Sequence, residues 1–359
     1  MITFTDLQSQ YQDAKQEIDA AIAHCLEKNS FITGPDVDEF EQTMIDYTGA
    51  EACASCGSGT TALQIALLAC GIGPGDEVIT VSHTFVSTPE AVVNCGADPV
   101  FVDIDDYYHM DVTKIKLAIT PRTKAILFVD LYGQTPDIDR IVALAKTYNL
   151  YTIEDAAQSF GYSYKGRRVG SLVDITCVSF NPVKNLGAIG DAGCVLGRKD
   201  LVDRARMYRD HGRKEKFNYE VVGMNCRIDN IQARVVQAKL PFLETWLERK
   251  RSIAAYYTRE LADYYEVPKC HAWGSHTWYV YVLATDSRRD DVRQRLLDKD
   301  IQTNCHYPRP AHSTPAFKQW HKVLPKTEKQ AKRIFSVPLY HSLTDAQVDD
   351  VVSALKEVA

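Results

Sequence analysis

The chain has 359 residues, a formal net charge of -6, 45% hydrophobic residues and 25% charged residues. These ordinary values exclude fibrous, disordered and membrane classes, and the acidic balance leaves no broad positive field for a nucleic-acid partner. One domain averages roughly 150 residues, so this length predicts two domains.

The opening segment, residues 1–8, carries an acid and lacks the basic and apolar regions of a leader peptide. No later stretch reaches roughly 18 uninterrupted apolar residues, so we expect a cytoplasmic protein without a membrane partner. The ten cysteines are typical of reduced core thiols. Cys53 and Cys56 have redox or zinc-knuckle spacing, but nothing completes a set of four ligands, so no metal is predicted.

Short β-rich runs alternate with helical patterns between about residues 50 and 200. This alternation predicts an α/β fold with a mainly parallel sheet covered by helices. Ligands of such sheets bind beyond the carboxyl ends of the strands. The predicted strands are 77–81, 98–102, 125–131, 151–154 and 175–180, and the predicted helices between them include 60–68 and 138–148.

The C-terminal part has a different organisation. Residues 228–250 and 251–264 are predicted to form long helices, followed by a strand at 278–284 and a closing helix from 345. We place the boundary near Leu243, which gives a large domain of residues 1–243 and a smaller α/β domain of residues 244–359. No low-complexity linker separates them, so the two domains should pack together.

The segment Gly57-Ser-Gly-Thr60 precedes a helical run, so its amide groups and hydroxyls would open onto a helix N-terminus. Such an end binds phosphate. The same residues satisfy Gly-x-Gly-x-x-Ala, which leaves a dinucleotide fold as an alternative, although about fifty residues come first. A plain N-cap would also explain Ser58 and Thr60.

Asp155 follows the predicted strand 151–154, where an unpaired carboxylate would be costly unless it met a cation. A protonated pyridine nitrogen is such a cation, and Gln158, one helical turn later, could reach a ring hydroxyl. The alternative for both residues is an ordinary helix start with an acidic N-cap.

Lys184 follows the apolar strand 175–180, 29 positions after Asp155. A lysine amine that enters a desolvated site becomes a useful nucleophile toward an aldehyde. Ser179 could hold a cofactor phosphate while Lys184 reaches the aldehyde, and Phe85 could stack on the ring. A surface lysine and a core phenylalanine are the alternatives. Together these parts predict a pyridoxal phosphate enzyme.

With these pieces in order, the chain resembles the DegT/DnrJ/EryC1/StrS family of sugar aminotransferases, a branch of the aspartate aminotransferase fold (fold type I). The resemblance runs nearly end to end. It is carried by Phe31-Ile-Thr-Gly-Pro, Gly73-Pro-Gly-Asp-Glu-Val, Thr84-Phe-Val, Glu154-Asp-Ala-Ala-Gln, Ser179-Phe-x-x-x-Lys-Asn-Leu-Gly, Asn225-x-Arg-x-Asp-x-x-Gln-Ala and His306-Tyr-Pro.

The resemblance implies roles for single residues. Lys184 would form the Schiff base with the cofactor, Asp155 would pair with the ring nitrogen, and Gln158 would meet the ring hydroxyl. It implies a homodimer with shared active sites. It further implies phosphate contacts from Gly59, Thr60 and Ser179, ring stacking from Phe85, and a contact across the dimer interface from Asn225.

The resemblance also implies the reaction. Glutamate would convert pyridoxal 5'-phosphate to pyridoxamine phosphate (PMP), and a nucleotide-linked keto-sugar would then take up the amino group. The segment Arg227-Ile-Asp-Asn-Ile-Gln-Ala is slightly nearer to enzymes that aminate C3 than to those that aminate C4, and Arg227, His306 and Tyr307 are candidate substrate contacts. Lys184 argues against relatives that carry histidine there and dehydrate sugars.

Three alternatives stay open at this point: aminocyclitol (keto-inositol) amination in the same family, a nicotinamide oxidoreductase using the Gly57 segment, and a catalytically silent binding or regulatory relative.

Overall fold

A computed structural model describes all residues, 1–359. The strands are β1 (Ala52–Cys56), β2 (Glu77–Val81), β3 (Asp98–Val102), β4 (Thr123–Val129), β5 (Tyr151–Asp155), β6 (Ser163–Tyr164), β7 (Arg167–Arg168), β8 (Ile175–Ser179), β9 (Gly193–Gly197), β10 (Arg213–Glu215), β11 (Asn218–Tyr219), β12 (Tyr281–Ala284) and β13 (Ile334–Val337).

Thirteen α-helices accompany these strands. They are α1 (Leu7–Asp13), α2 (Lys15–Lys28), α3 (Pro35–Thr48), α4 (Gly59–Ala69), α5 (Ser87–Asn94), α6 (Val112–Ala118), α7 (Ile138–Tyr148), α8 (Lys199–Arg209), α9 (Asn230–Lys239), α10 (Leu243–Leu261), α11 (Arg289–Leu297), α12 (Pro325–Arg333) and α13 (Asp345–Val358).

Seven strands form the central sheet in the order β1-β9-β8-β5-β4-β2-β3. Five of them, from β8 to β3, pair in parallel, while β9 runs antiparallel to both β8 and β1. The mainly parallel α/β architecture predicted from the sequence is therefore confirmed. β1 was not predicted, because Ala-Cys-Ala-Ser-Cys contains no β-branched or aromatic residue to indicate a strand.

The sheet is buried on both faces. Ile79 and Ile126 belong to one apolar cluster, whereas their neighbours Val78 and Ala125 belong to another. Successive side chains of a strand point to opposite faces, so the two clusters are the two sides of the sheet. This double burial explains why the central strands are continuously apolar instead of alternating.

The C-terminal part surrounds a third apolar cluster, to which the later turns of α10 and the helices α11 and α13 contribute. The predicted helix bounds 228–250 and 251–264 are wrong. α9 ends at Lys239, a 3-10 turn covers Leu240–Phe242, and α10 starts at Leu243. Pro241 has no backbone N–H, so it cannot continue a helix.

The predicted strand 278–284 is shorter than expected, since β12 begins at Tyr281 and Trp278 has a φ of 51°. The first turns of α10 instead pack into the core of the sheet, through Leu243 and Leu247. Division of the chain at Leu243 stays a prediction. None of the helices combines the length and apolar composition needed to cross a bilayer.

Candidate active site

A cavity of about 460 Å³ lies beyond the carboxyl ends of β2, β4, β5 and β8. Two wider depressions, of about 640 and 560 Å³, contain none of the predicted site residues. The predicted residues that line the smaller cavity are Gly59, Thr60, Phe85, Asp155, Gln158, Ser179, Lys184, His306 and Tyr307.

Asp155, the last residue of β5, forms a buried wall of this cavity. One of its carboxylate oxygens accepts a hydrogen bond from the Thr88 hydroxyl at 2.7 Å, and the other accepts one from the Ala157 amide at 3.2 Å. Burial nevertheless raises the pKa of Asp155, against the smaller opposing effects of these two bonds and of the Lys184 charge. A cation placed against Asp155 would offset that desolvation cost.

Gln158 is oriented by its neighbours. Its side-chain oxygen accepts from the Tyr132 amide at 2.7 Å, and its side-chain nitrogen donates to the Tyr307 hydroxyl at 3.1 Å. Because an amide nitrogen carries two hydrogens, one remains for a ligand.

The first turn of α4 forms the opposite end of the cavity. Ser58 is its N-cap, and the Ser58 hydroxyl accepts from the Thr61 amide at 3.1 Å, so the ordinary capping role is present too. The first amides of a helix have no partner within it, so Gly59 and Thr60 can donate to an anion. A Cβ at Gly59 would lie 2.6 Å from the Cβ of Ser179, so only glycine permits this close approach.

Lys184 reaches the cavity from the loop after β8. Its Nζ lies 3.5 Å from the Tyr279 hydroxyl and 4.5 Å from the centre of the Tyr279 ring. No carboxylate lies within 4 Å of this ammonium. The amine is therefore held at the cavity by an aromatic ring and remains available to react.

Phe85 and His306 lie on the cavity wall near Tyr307. Phe85 is 53% exposed, and its ring is 5.9 Å from that of Tyr307. An exposed aromatic face at a cavity is suited to stacking on a flat ring. Burial, with a smaller effect of Lys184, lowers the pKa of His306 to about 4, so His306 is neutral at pH 7.

Two predicted residues do not line the cavity. Asn225 is exposed, and Arg227 forms an ion pair of 2.7 Å with Asp210. Both follow the β10–β11 hairpin and lie outside this chain's own cavity.

The lining fits pyridoxal phosphate. It offers an acid that lacks a cation, a helix N-terminus for a phosphate, an exposed aromatic ring for stacking and a lysine amine, all around one space. Cys53 and Cys56 are buried in β1, away from this cavity, and none of the ten cysteines forms a disulfide.

Sequence reasoning missed several polar residues of the site, among them Thr88 and Tyr279. The hydroxyl-rich run from Ser82 to Thr88 after β2 was a usable signal for Thr88. Tyr279 comes 95 positions after Lys184, and nothing in its local pattern indicates that it lies beside that amine.

Comparisons with known proteins agree with this geometry. Residues 12–356 match the model of the DegT/DnrJ/EryC1/StrS aminotransferase family. The UDP-2-acetamido-2-deoxy-3-oxo-D-glucuronate aminotransferase of Pseudomonas aeruginosa is 40% identical over 99% of each chain. The dTDP-3-amino-3,4,6-trideoxy-alpha-D-glucose transaminase of Streptomyces venezuelae is 38% identical, over 100% of this chain and 96% of its own. The crystal structure of NtdA from Bacillus subtilis, with bound PMP, superposes with a TM-score of 0.93 at 31% identity, covering 99% of this chain and 84% of NtdA.

Proposed function

The chain belongs to the DegT/DnrJ/EryC1/StrS aminotransferase family and is a pyridoxal phosphate-dependent aminotransferase, and on this premise we propose that it transfers an amino group from glutamate to a nucleotide-linked keto-sugar. This family assignment excludes the alternative of a nicotinamide oxidoreductase. The observation that supports the proposal best is the convergence of Lys184, Asp155 and the first turn of α4 on one cavity.

The position of each residue in the cavity suggests its contact with the cofactor. Gly59, Thr60 and Ser179 would hold the phosphate, and Phe85 would stack on the ring. Asp155 would keep a proton on the ring nitrogen, through a charged hydrogen bond worth roughly 1.5–3 kcal/mol.

When bound, the cofactor supplies an aldehyde that accepts an amino group and a ring that withdraws electrons. The Nζ of Lys184 would hold the cofactor through this aldehyde, and the same amine would serve as general base and then general acid toward the substrate. Tyr279 would keep this amine within reach of the cavity. Gln158, fixed by Tyr132 and Tyr307, orients the ring through its hydroxyl.

The class of acceptor sugar is inferred from the names of the two relatives. One acts on a UDP-linked sugar and the other is named for a dTDP-linked sugar, and both names place the oxo or amino group at C3. We infer a 3-keto sugar for this chain. His306 and Tyr307 lie at the cavity and would contact the acceptor, and Arg227 would do so from a second subunit.

The test is a two-stage assay. Purified protein is loaded with pyridoxal phosphate, and absorbance is followed as glutamate or glutamine is added. Washed protein in its amine form is then mixed with UDP- or dTDP-linked 3-keto and 4-keto sugars, and with a keto-inositol, and the products are weighed by mass spectrometry. Lys184→Ala is the inactive control, and Lys199→Ala, on the exposed face of α8, is the matched lysine control.

The expected result is a visible band that glutamate bleaches, and an amine formed from a 3-keto sugar. Lys184→Ala should lower turnover by at least about 10³-fold, because it removes both nucleophile and base. If glutamine alone bleaches the band, the assignment of glutamate as the donor is wrong. If the keto-inositol is the only acceptor that is aminated, the aminocyclitol alternative is favoured. A visible band that neither glutamate nor glutamine bleaches would support a silent or regulatory relative.

A further inference from the structure

Three side chains with metal-binding atoms meet outside the cofactor cavity. Asp105 and His109 belong to the turn after β3, and His271 belongs to the segment before β12. One ligand atom from each lies within 4.8 Å of the other two. None of the three residues lines the cofactor cavity. Two imidazoles and one carboxylate are a common donor set for zinc.

Local contacts hold two of these side chains, those of Asp105 and His271, in place. One oxygen of Asp105 accepts from the amides of Tyr107, at 2.8 Å, and His109, at 3.0 Å. The His271 ring is stacked between Tyr107, at 3.6 Å, and Trp273, at 4.0 Å. These contacts bring the turn and the C-terminal segment together at the cluster.

The imidazoles lack hydrogen-bond partners. His109 is 1% exposed, and neither of its ring nitrogens has a partner of acceptable geometry. The carbonyls of Leu131 and Gln134 lie close to the His109 ring without being aligned for a hydrogen bond. The Nε2 of His271 is also buried and unpaired. A histidine that binds a metal through one ring nitrogen commonly donates the N–H of its other ring nitrogen to a backbone carbonyl of this kind.

Asp105 forms no ion pair, so its carboxylate has no positively charged side chain bound to it. The nearby lysines, Lys269 and Lys326, are engaged by Asp106 instead of Asp105.

We propose that Asp105, His109 and His271 bind one divalent cation, with zinc as the best match. Ligand atoms of tetrahedral zinc lie roughly 3.4 Å apart, so the cluster must contract by roughly 1.4 Å at its widest. The ion ties the turn after β3 to the segment that continues to Thr277 and Tyr279. Thr277 already donates to the carbonyl of Gln158 at 3.2 Å, so the ion supports the wall of the cofactor cavity from outside.

The experiment measures zinc bound by the cofactor-loaded enzyme. Protein stripped with a chelator is dialysed against Zn²⁺ at pH 7.5, and bound metal is determined by mass spectrometry. His271→Gln and Asp105→Asn remove ligands at nearly constant volume. Cys270→Ser is the matched control, because this exposed thiol next to His271 could bind zinc by itself.

One zinc per chain is expected in the wild type and in Cys270→Ser, falling below about a tenth in the other two variants. Less than a tenth of a zinc ion per chain in the wild type would overturn the proposal. Equal zinc in the wild type and His271→Gln would also overturn it, because the binding would then be adventitious. Water would then satisfy the buried nitrogens.

A second readout covers variants that fold poorly. Zinc should raise the thermal midpoint of the wild type by several degrees and leave that of His271→Gln unchanged, with circular dichroism showing that both are folded. Co²⁺ should give the intense visible absorption of a tetrahedral site in the wild type alone. Equal midpoint shifts, or no Co²⁺ band in the wild type, would contradict the site.

Discussion

Lys184 has a tyrosine, and not a carboxylate, as its nearest polar neighbour in the cavity. The Tyr279 hydroxyl lies 3.5 Å from Nζ, and the ring lies beneath the ammonium. A carboxylate there would hold the amine as a charged, unreactive group. A phenol can position the amine without fixing its charge.

We therefore expect Tyr279→Phe to lower kcat by about tenfold and to leave KM for glutamate nearly unchanged, because the ring stays while the hydroxyl is lost. The measurement is steady-state kinetics across pH. Tyr281→Phe, in the same segment but hydrogen-bonded to Thr258, is the matched control and should keep full activity. An equal loss in both variants would point to a general packing defect.

Apart from His306 and Tyr307, the residues that the sequence indicated correctly as cavity-lining follow strands or open helices. Asp155, Ser179 and Gly59 each lie at the end of a predicted element, where local pattern and position coincide. Thr88 and Tyr279 act through contacts between distant segments. Chain folding creates those contacts, so the local sequence shows at most the hydroxyl-rich run around Thr88 and not the partner that either residue meets.

At the level of single elements, α4 brings its first turn against β8. This approach depends on Gly59, since a Cβ there would meet Ser179 at 2.6 Å. The helix end and the strand end must both be displaced to admit a methyl group.

Gly59→Ala should weaken binding of pyridoxal phosphate by at least about tenfold, because the displaced amide N–H groups would no longer point at the phosphate. Fluorescence or absorbance titration of the apoenzyme gives the dissociation constant. In the matched control Gly73→Ala, the new Cβ would come no closer than 3.9 Å to its nearest neighbour, the Cys95 carbonyl. Equal affinity in Gly59→Ala and the wild type would contradict the proposed phosphate site.

Helix α10 carries a buried amine. The Nζ of Lys250 donates to the Asn185 side chain at 2.9 Å, and burial lowers the pKa of Lys250 to about 7. Between pH 7 and the ordinary lysine pKa of roughly 10.4, the unfolded chain binds a proton here that the folded chain does not. The folded state therefore gains stability as pH rises through this window.

Relative to Lys250→Met, the wild type should gain roughly 1.4 kcal/mol of unfolding free energy for each pH unit between pH 7.5 and 9.5. Urea unfolding of both proteins at one concentration measures the difference. Lys199→Met, on an exposed face, should run parallel to the wild type. A constant difference between Lys250→Met and the wild type would show that Lys250 is charged in the fold.

The elements also show where sequence patterns fail. The five central strands were predicted because burial on both faces makes them continuous apolar runs. β1 was hidden by its small residues, and the break before α10 was misplaced because helical periodicity continues on both sides of Pro241. Amphipathic pattern does not reveal where one helix ends and the next begins.

At the scale of the whole molecule, the positions of Asn225 and Arg227 support the homodimer proposal. Neither residue lines its own chain's cavity, while both follow an exposed hairpin that bears Phe217, which is 79% exposed. This position, outside the chain's own cavity and beside an exposed hairpin, is expected of residues that contact the active site of a second subunit.

Mixing two inactive variants tests this arrangement. Lys184→Ala and Asn225→Ala, unfolded together and refolded, should recover about a quarter of wild-type sites, because a mixed dimer has one site with both residues intact. Each variant refolded alone is the control, and ultracentrifugation gives the oligomeric state. No recovery from a mixture that is shown to be dimeric would mean that Asn225 serves its own chain.

The pairing of Ile2 has a consequence for the order of folding. Its amide donates to the carbonyl of Asp300, and its carbonyl accepts from the amide of Gln302, so the first residues complete the smaller C-terminal unit. On the ribosome, Ile2 must wait for some three hundred further residues before its partners exist. Closing so long a loop is entropically costly, and the central sheet can form meanwhile. The opening residues of the polypeptide would thus be among the last to find their place.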